Sequence, residues 1–334
     1  MGKHAIGAMS ADEFREIEDR QVRATIERFE ATGSPVITDG EQRKSSFATY
    51  PLTGLKNLAP GGVTIPFEDG HTRQLPKLIA GPFRYGAFAS SYLKEAKAIA
   101  HRPVKQAVIA ASALSLLYPQ EGIAGYSREQ FIDDLVTEAH RDIRECLDAG
   151  AACVQIDFTE GRLALKLDPS GGLLAQFIDV NNRVLSAFSD AERRKIGVHT
   201  CPGGDKDATH SAGVDYLSLV PQLFRLNVGR FYVQLASEKD RKRVLKAMKA
   251  ELKPGQMLFV GVTDPIHPKV ETVDDIVRRI HEAAGEIPVA QLGTTDDCGF
   301  SPFADDTSTS RDTAFAKIAN RVAATERASK ELGA

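Results

Sequence analysis

Short apolar runs alternate along the chain with longer stretches whose apolar residues recur every three or four positions. The short runs read as strands buried on both faces and the longer stretches as amphipathic helices. Strands are expected at residues 35–38, 104–110, 152–157, 196–199, 231–235, 257–262 and 290–294. The helical stretches carry start and stop signals. Ser127 followed by Gln130 forms a capping box, after which Phe131, Leu135, Ala139, Ile143 and Cys146 fall on one stripe until Gly150. Thr272 with Asp275 opens a second helix bearing Ile276 and Ile280, and a last one starts near Arg311 with Phe315, Ile318 and Val322. Strands alternating with helices predict a parallel sheet, and seven such units favour a closed (β/α)8 TIM barrel over an open sheet. The pattern does not reveal the barrel's first strand. Residues 60–77 break the alternation: Glu68-Asp69-Gly70 between two alternating segments predicts a β-hairpin inserted in an early βα loop. With no internal repeat and no low-complexity linker, residues 1–334 read as a single catalytic barrel domain.

Composition narrows the function. The 334 residues carry a formal net charge of −3, which argues against a nucleic-acid binder. No apolar run reaches membrane-spanning length, and residues 1–20 are polar, without the apolar core of a signal peptide. Four cysteines in this length do not make a disulfide framework. The expectation is a cytoplasmic protein with reduced thiols and small-molecule partners.

Barrel enzymes place their chemistry where strands end, and polar residues gather there in this chain. Asp39-Gly40-Glu41 ends the first recognisable strand, and Gln155 and Asp157 close the third. His199 and Cys201 follow, then Gln234 and Glu238, then Asp264 and His267, then Asp296-Asp297-Cys298. Neutral imidazole and thiolate are preferred zinc ligands, and side chains two apart on an extended strand share a face. An isolated His-x-Cys is more often a turn holding a buried cysteine. Cys298 at another strand end shifts the balance towards a zinc site. Cys146 and Cys153 read as core, His140 as solvated, and His210 and His267 as loop histidines that remain site candidates.

The stretches ITDGE (37–41), VQID (154–157), HTC (199–201), GVTDPIHPKVET (261–272) and DDCGF (296–300) occur in an order that spans most of the chain. In these the sequence resembles the C-terminal catalytic barrel of the cobalamin-independent methionine synthases, as a single-barrel relative. The resemblance implies a methyltransferase with a catalytic zinc held by His199, Cys201 and Cys298. It also implies that Glu41 and Asp157, with Gln155 beside them, bind the substrate, and that Asp264 and His267 are catalytic. The family's fourth zinc ligand is a glutamate, and this chain reads FYVQLASE there. Gln234 is then the ligand, or Glu238 reaches back, or the position is open. Ile266 occupies the place of the family's histidine, with His267 one further on. The family's N-terminal Gly-Ser strand has no recognisable counterpart; the chain offers only Ile6-Gly7-Ala8. The chemistry implied is attack of an activated thiol, homocysteine for example, on a methyl or alkyl donor, with a corrinoid carrier among the candidate partners. Two alternatives stand beside it. One is thiol alkylation of the epoxyalkane:coenzyme M transferase kind. The other is a metal-free barrel like the uroporphyrinogen decarboxylases, for which Arg84, Lys105 and Arg162 would supply a cationic pocket.

Overall fold

The computed structural model describes residues 9–334, so Ile6-Gly7-Ala8 lies outside the described residues. Six strands form one parallel sheet: β1 Lys105–Ile109, β2 Cys153–Asp157, β3 Ile196–Thr200, β4 Arg230–Val233, β5 Met257–Thr263 and β6 Leu292–Asp296, hydrogen-bonded in that order. Helices separate consecutive strands, including Arg128–Asp148, Glu160–Leu167, Tyr216–Leu223, Arg241–Glu251 and Val273–Ala284. The architecture is the α/β barrel that the alternation predicts. Register aligns the strand ends: Ile109 pairs with Asp157, Asp157 with His199, and Val233 with Thr200.

Two expected strands change. Residues 35–38 shrink to a single parallel bridge, Ile37 to Val104. Pro35 brings no N–H to a ladder, and Gly40 at φ 65° turns the chain away after Asp39. The last strand starts at Leu292, because Pro288 leads into the short 3-10 turn Val289–Gln291. The predicted hairpin is present, with Thr64–Pro66 antiparallel to Thr72–Gln74, and is extended by a pairing of Leu58–Ala59 with Lys77–Leu78. The sequence pattern did not reveal a second small hairpin just after Cys201, Gly204–Asp205 against Ala208–Thr209. Lys206 and Asp207 at its turn both have positive φ, 50° and 61°, as a two-residue hairpin turn of matching twist requires.

One apolar cluster runs from Val22 to Ala328. Alternate sheet residues such as Val154, Val198, Phe231 and Val260 pack outwards under the helices. The interior positions hold larger and more polar groups. Tyr232 and Phe259 stack at 4.7 Å between ring centroids. Two strand glycines make room for them: a Cβ on Gly197 would lie 2.6 Å from the Tyr232 ring, and one on Gly293 2.4 Å from Phe259.

The capping box read at Ser127 is present on Arg128–Asp148, Thr272 caps Val273–Ala284 through its side chain, and the last helix runs Arg311–Leu332. The first helix also carries a ladder of acids at spacing four, which puts them on one face. Asp134 accepts from the Phe83 amide (3.1 Å), Glu138 from Tyr85 (3.2 Å) and Asp142 from Ala89 (2.7 Å). Segment 83–89 is thus fixed by its backbone. Among the described residues no helix is long and apolar enough to cross a membrane.

Candidate metal centre and acidic face

His199 is the fourth residue of β3, Cys201 follows its end, and Cys298 lies two residues past β6. Their ligand atoms all fall within 4.8 Å of one another. The two Sγ atoms are 3.0 Å apart. Cys201 is fully buried and His199 nearly so. His199 Nε2 is buried with no hydrogen-bond partner. An unpaired buried polar atom costs free energy, so one at the meeting point of two thiols fits a site built for a cation. The Cys201 hydrogen bond and then His199 hold Cys298 below the usual thiol range, while the same Cys298 contact raises Cys201. One imidazole and two sulfurs in a buried cluster are the donors zinc prefers.

The chain around the cysteines is tightly specified. Asp297, next to Cys298, accepts from the amides of Leu235, Ala236 and Ser237, each at 2.8 Å, and from the Ser237 hydroxyl at 2.7 Å. It thereby fixes the loop after β4. Gly261 lets the carboxylate in, since a Cβ there would lie 1.8 Å from Asp297 Oδ1. Gly203, at φ 70°, lies against the buried His210 imidazole, whose Nε2 a Cβ would approach to 1.8 Å. His210 is therefore a packing residue beneath the HTCPGG turn, and burial pushes it down to about 4.

On the neighbouring strand ends sits an acidic face. Asp39 accepts from the Glu41 amide at 2.8 Å, and Glu41 takes the left-handed conformation at φ 55°. Such strain in a non-glycine residue clusters at functional sites. Lys44, missed in the sequence although it lies only three residues on, donates to Glu41 (2.7 Å) and to the Ala107 carbonyl (2.8 Å). Burial pulls the Lys44 ammonium down, but the Glu41 carboxylate outweighs it and keeps it charged. Burial, and then the Glu41 charge, push Asp157 up to about 6. Gln155 links Asp157 to the barrel interior: its amide nitrogen donates to Asp157 (2.7 Å) and its oxygen accepts from Lys105 (2.8 Å). Both ends of Gln155 are engaged, so it orients Asp157.

Other expected site residues are placed differently. The Gln234 oxygen accepts from Arg162 at 2.9 Å, and its nitrogen donates to Ser237 (2.7 Å) and Glu238 (3.1 Å). Glu238 itself pairs with Arg162. The structure thus spends the expected fourth-ligand residues on a buried guanidinium. Asp264 sits at a turn, accepting from the Ile266 amide at 3.0 Å. His267 is exposed and its Nδ1 accepts from the Lys269 amide at 3.2 Å. The side chain directed at the cysteine loop is Ile266, 3.4 Å from the Cβ position of Gly204. His267 is not brought to the cluster, because a one-residue shift in a loop reverses which side chain points inwards.

The three proposed pocket cations do not form a common pocket. Arg84 pairs with Asp134 on the surface. Lys105 is half-buried, its ammonium over the Tyr232 ring at 4.5 Å. Arg162 is closed by Gln234, Glu238 and the carbonyls of Ala212 and Val214. Cys146 and Cys153 are buried as expected, whereas His140 packs on Phe188, 4.8 Å between centroids, instead of pointing into solvent. The sequence reading also missed Glu160. Fully buried, it takes a hydrogen bond from Ser112, leaves Oε2 without a partner, and is raised by burial to about 8.

Comparison with known proteins followed the same lines. Residues 2–327 match the family model of the cobalamin-independent synthase catalytic domain. The chain is 23% identical over 316 residues to the uncharacterized protein YxjH of Bacillus subtilis (strain 168), covering 90% of this chain and 82% of that one. A B12-independent methionine synthase from Shewanella sp. W3-18-1, solved in complex with selenomethionine, is similar in structure at TM-score 0.76 and 17% identity, over 97% of this chain and 91% of that one. A putative vitamin-B12-independent methionine synthase from Listeria monocytogenes is similar at TM-score 0.70 and 20% identity, over 97% and 90%.

Proposed function

Because this chain belongs to the cobalamin-independent synthase catalytic-domain family, we propose that it is a zinc-dependent methyltransferase that alkylates a small amino-acid thiol such as homocysteine. The observation that carries the reading is the convergence of His199, Cys201 and Cys298, with a buried, unpartnered imidazole nitrogen among them. These three residues hold the metal, and no fourth protein donor is assigned. When bound, zinc lowers the pKa of a coordinated thiol while leaving its sulfur nucleophilic.

The chain's own residues set the substrate's pose. Asp39, Glu41 and Asp157 gather around Lys44, with Lys105 the next cation to Asp157, so three acids outnumber two ammonium groups. An α-ammonium group balances the excess and would draw Asp157 into its charged form. Gln155, held by Lys105, keeps the Asp157 carboxylate aimed. In the transfer the new carbon–sulfur bond forms as the bond from the methyl carbon to its donor breaks, the electron pair of that bond leaves with the donor, and the thiol proton passes to solvent water beforehand. The acids repel a sulfonate such as that of coenzyme M, which disfavours the epoxyalkane reading. The selenomethionine bound to the Shewanella relative is an amino acid of the proposed product class.

Metal analysis of protein purified without chelator should find about one zinc per chain, one ion for the three-donor cluster. A thiol screen of homocysteine and coenzyme M, against methylfolate, methylcobalamin and an epoxide, should give product with homocysteine and a methyl donor. Protein without zinc, or product only from coenzyme M, would overturn the reading.

A further inference from the structure

Three loops meet beside the cysteines. The loop after Cys201 contributes Asp205, whose side chain is fully buried. The loop after Cys298 contributes Phe303 and Asp305. The inserted hairpin contributes His71 and Arg73, and its tip joins the first loop through the Glu68 amide, which donates to the Thr209 carbonyl at 2.9 Å.

A single guanidinium ties the three together. Arg73 Nε and Nη2 donate to the two Asp205 oxygens at 2.5 and 3.1 Å. Its Nη1 and Nη2 donate to the Asp305 oxygens at 3.2 and 2.8 Å. The planar cation also lies over the Phe303 ring at 4.2 Å. Asp205 and Asp305 lie four and seven residues after the two cysteines. The planar fork of arginine binds each carboxylate through a pair of hydrogen bonds, a geometry that a lysine ammonium lacks. Lys206 adds a weaker, exposed link to Asp305 at 3.0 Å, and His71 Nε2 faces Asp205 at 3.0 Å.

We propose that Arg73 is a positioning residue for the metal centre. By clamping Asp205 and Asp305 it holds the two thiol-bearing loops together, so that the ion is released slowly. The inference rests on the zinc reading above. It makes the inserted hairpin the strap across the donor loops.

The test is the rate at which zinc-loaded protein yields its metal to a chromogenic chelator, read beside the melting of the metal-free protein. R73A should release zinc about 10–100-fold faster, the range that outer contacts of metal ligands command. R73K should restore only part of the difference. D305N, which changes an exposed carboxylate, should fall between R73A and the wild type. R241A, which breaks the Arg241–Glu282 pair outside these loops, should release as the wild type does. A merely structural Arg73 would lower the melting temperature of the metal-free protein and leave release unchanged. Release by R73A and D305N within about a factor of two of the wild type overturns the inference, and D305N alone decides if R73A does not fold. Wild-type protein that binds no zinc removes the zinc reading and this inference with it. Wild-type protein that binds zinc, with unaltered release in the variants, removes only the inference.

Discussion

Gly203→Ala is the smallest change that should disturb the candidate metal centre. Two costs add. The backbone at φ 70° is left-handed, which penalises a Cβ by roughly 1–2 kcal/mol. The new methyl would also lie 1.8 Å from His210 Nε2, so the imidazole must move. That ring is buried and edge-packed against Phe67, 5.5 Å between centroids, and overpacking of this kind costs about 1–3 kcal/mol. The sum is about 2–5 kcal/mol, a large part of a typical domain's stability. The two terms can be separated. In an H210A background the clash disappears and only the backbone term remains, so the pair should show a coupling of about 1–3 kcal/mol. Urea unfolding of the four metal-free proteins, followed by far-ultraviolet circular dichroism and by tyrosine fluorescence together, gives the cycle. A G203A protein within about 0.5 kcal/mol of wild type, the ordinary spread of neutral surface changes, would refute the reasoning. So would a full cost that persists without His210.

C298S should lower zinc affinity by more than about tenfold, since even outer contacts command that much; elemental analysis after dialysis checks it, and full retention excludes Cys298 as a donor. D297A leaves the amides of Leu235, Ala236 and Ser237 without their acceptor. It should cost about 3 kcal/mol or more in urea unfolding, and a neutral result would show that the β4 loop is held otherwise. Glu160 is raised by burial from 4.5 to about 8, so the folded chain holds a proton that the unfolded chain loses. Its stabilising effect is complete below about pH 4.5 and fades as pH rises through about 8. E160Q should therefore gain in melting temperature relative to wild type between pH 5 and pH 9; a constant difference would show that Glu160 is charged in the fold.

The strands and helices were legible because both periodicities are strong, and because Ser127 and Thr272 each cap their helix through the side chain. Residues 35–38 misled because apolar content is visible in a sequence but a ladder partner is not. His199, Cys201 and Cys298 could be found because soft donors at strand ends are scarce. Gln234 looked like a ligand because its place at the end of β4 shows in the sequence, whereas Arg162, 72 positions earlier, does not show as its partner. His267 failed on parity alone: Ile266, one residue before it, points inwards. The Asp-Gly turn announced the inserted hairpin, but nothing local to Arg73 said that Asp205 and Asp305 would meet it.

The acid ladder on helix Arg128–Asp148 has an evolutionary consequence. Asp134, Glu138 and Asp142 grip main-chain amides, which every residue but proline presents alike. Burial still constrains Phe83 and Tyr85. Between them Arg84 is exposed and adds only a surface ion pair to Asp134 of that helix, a kind of contact worth little to stability. This stretch can therefore accept new side chains without losing its course. A library varied at Arg84 and Ala87 would keep its fold, with proline excluded only at the gripped positions 83, 85 and 89.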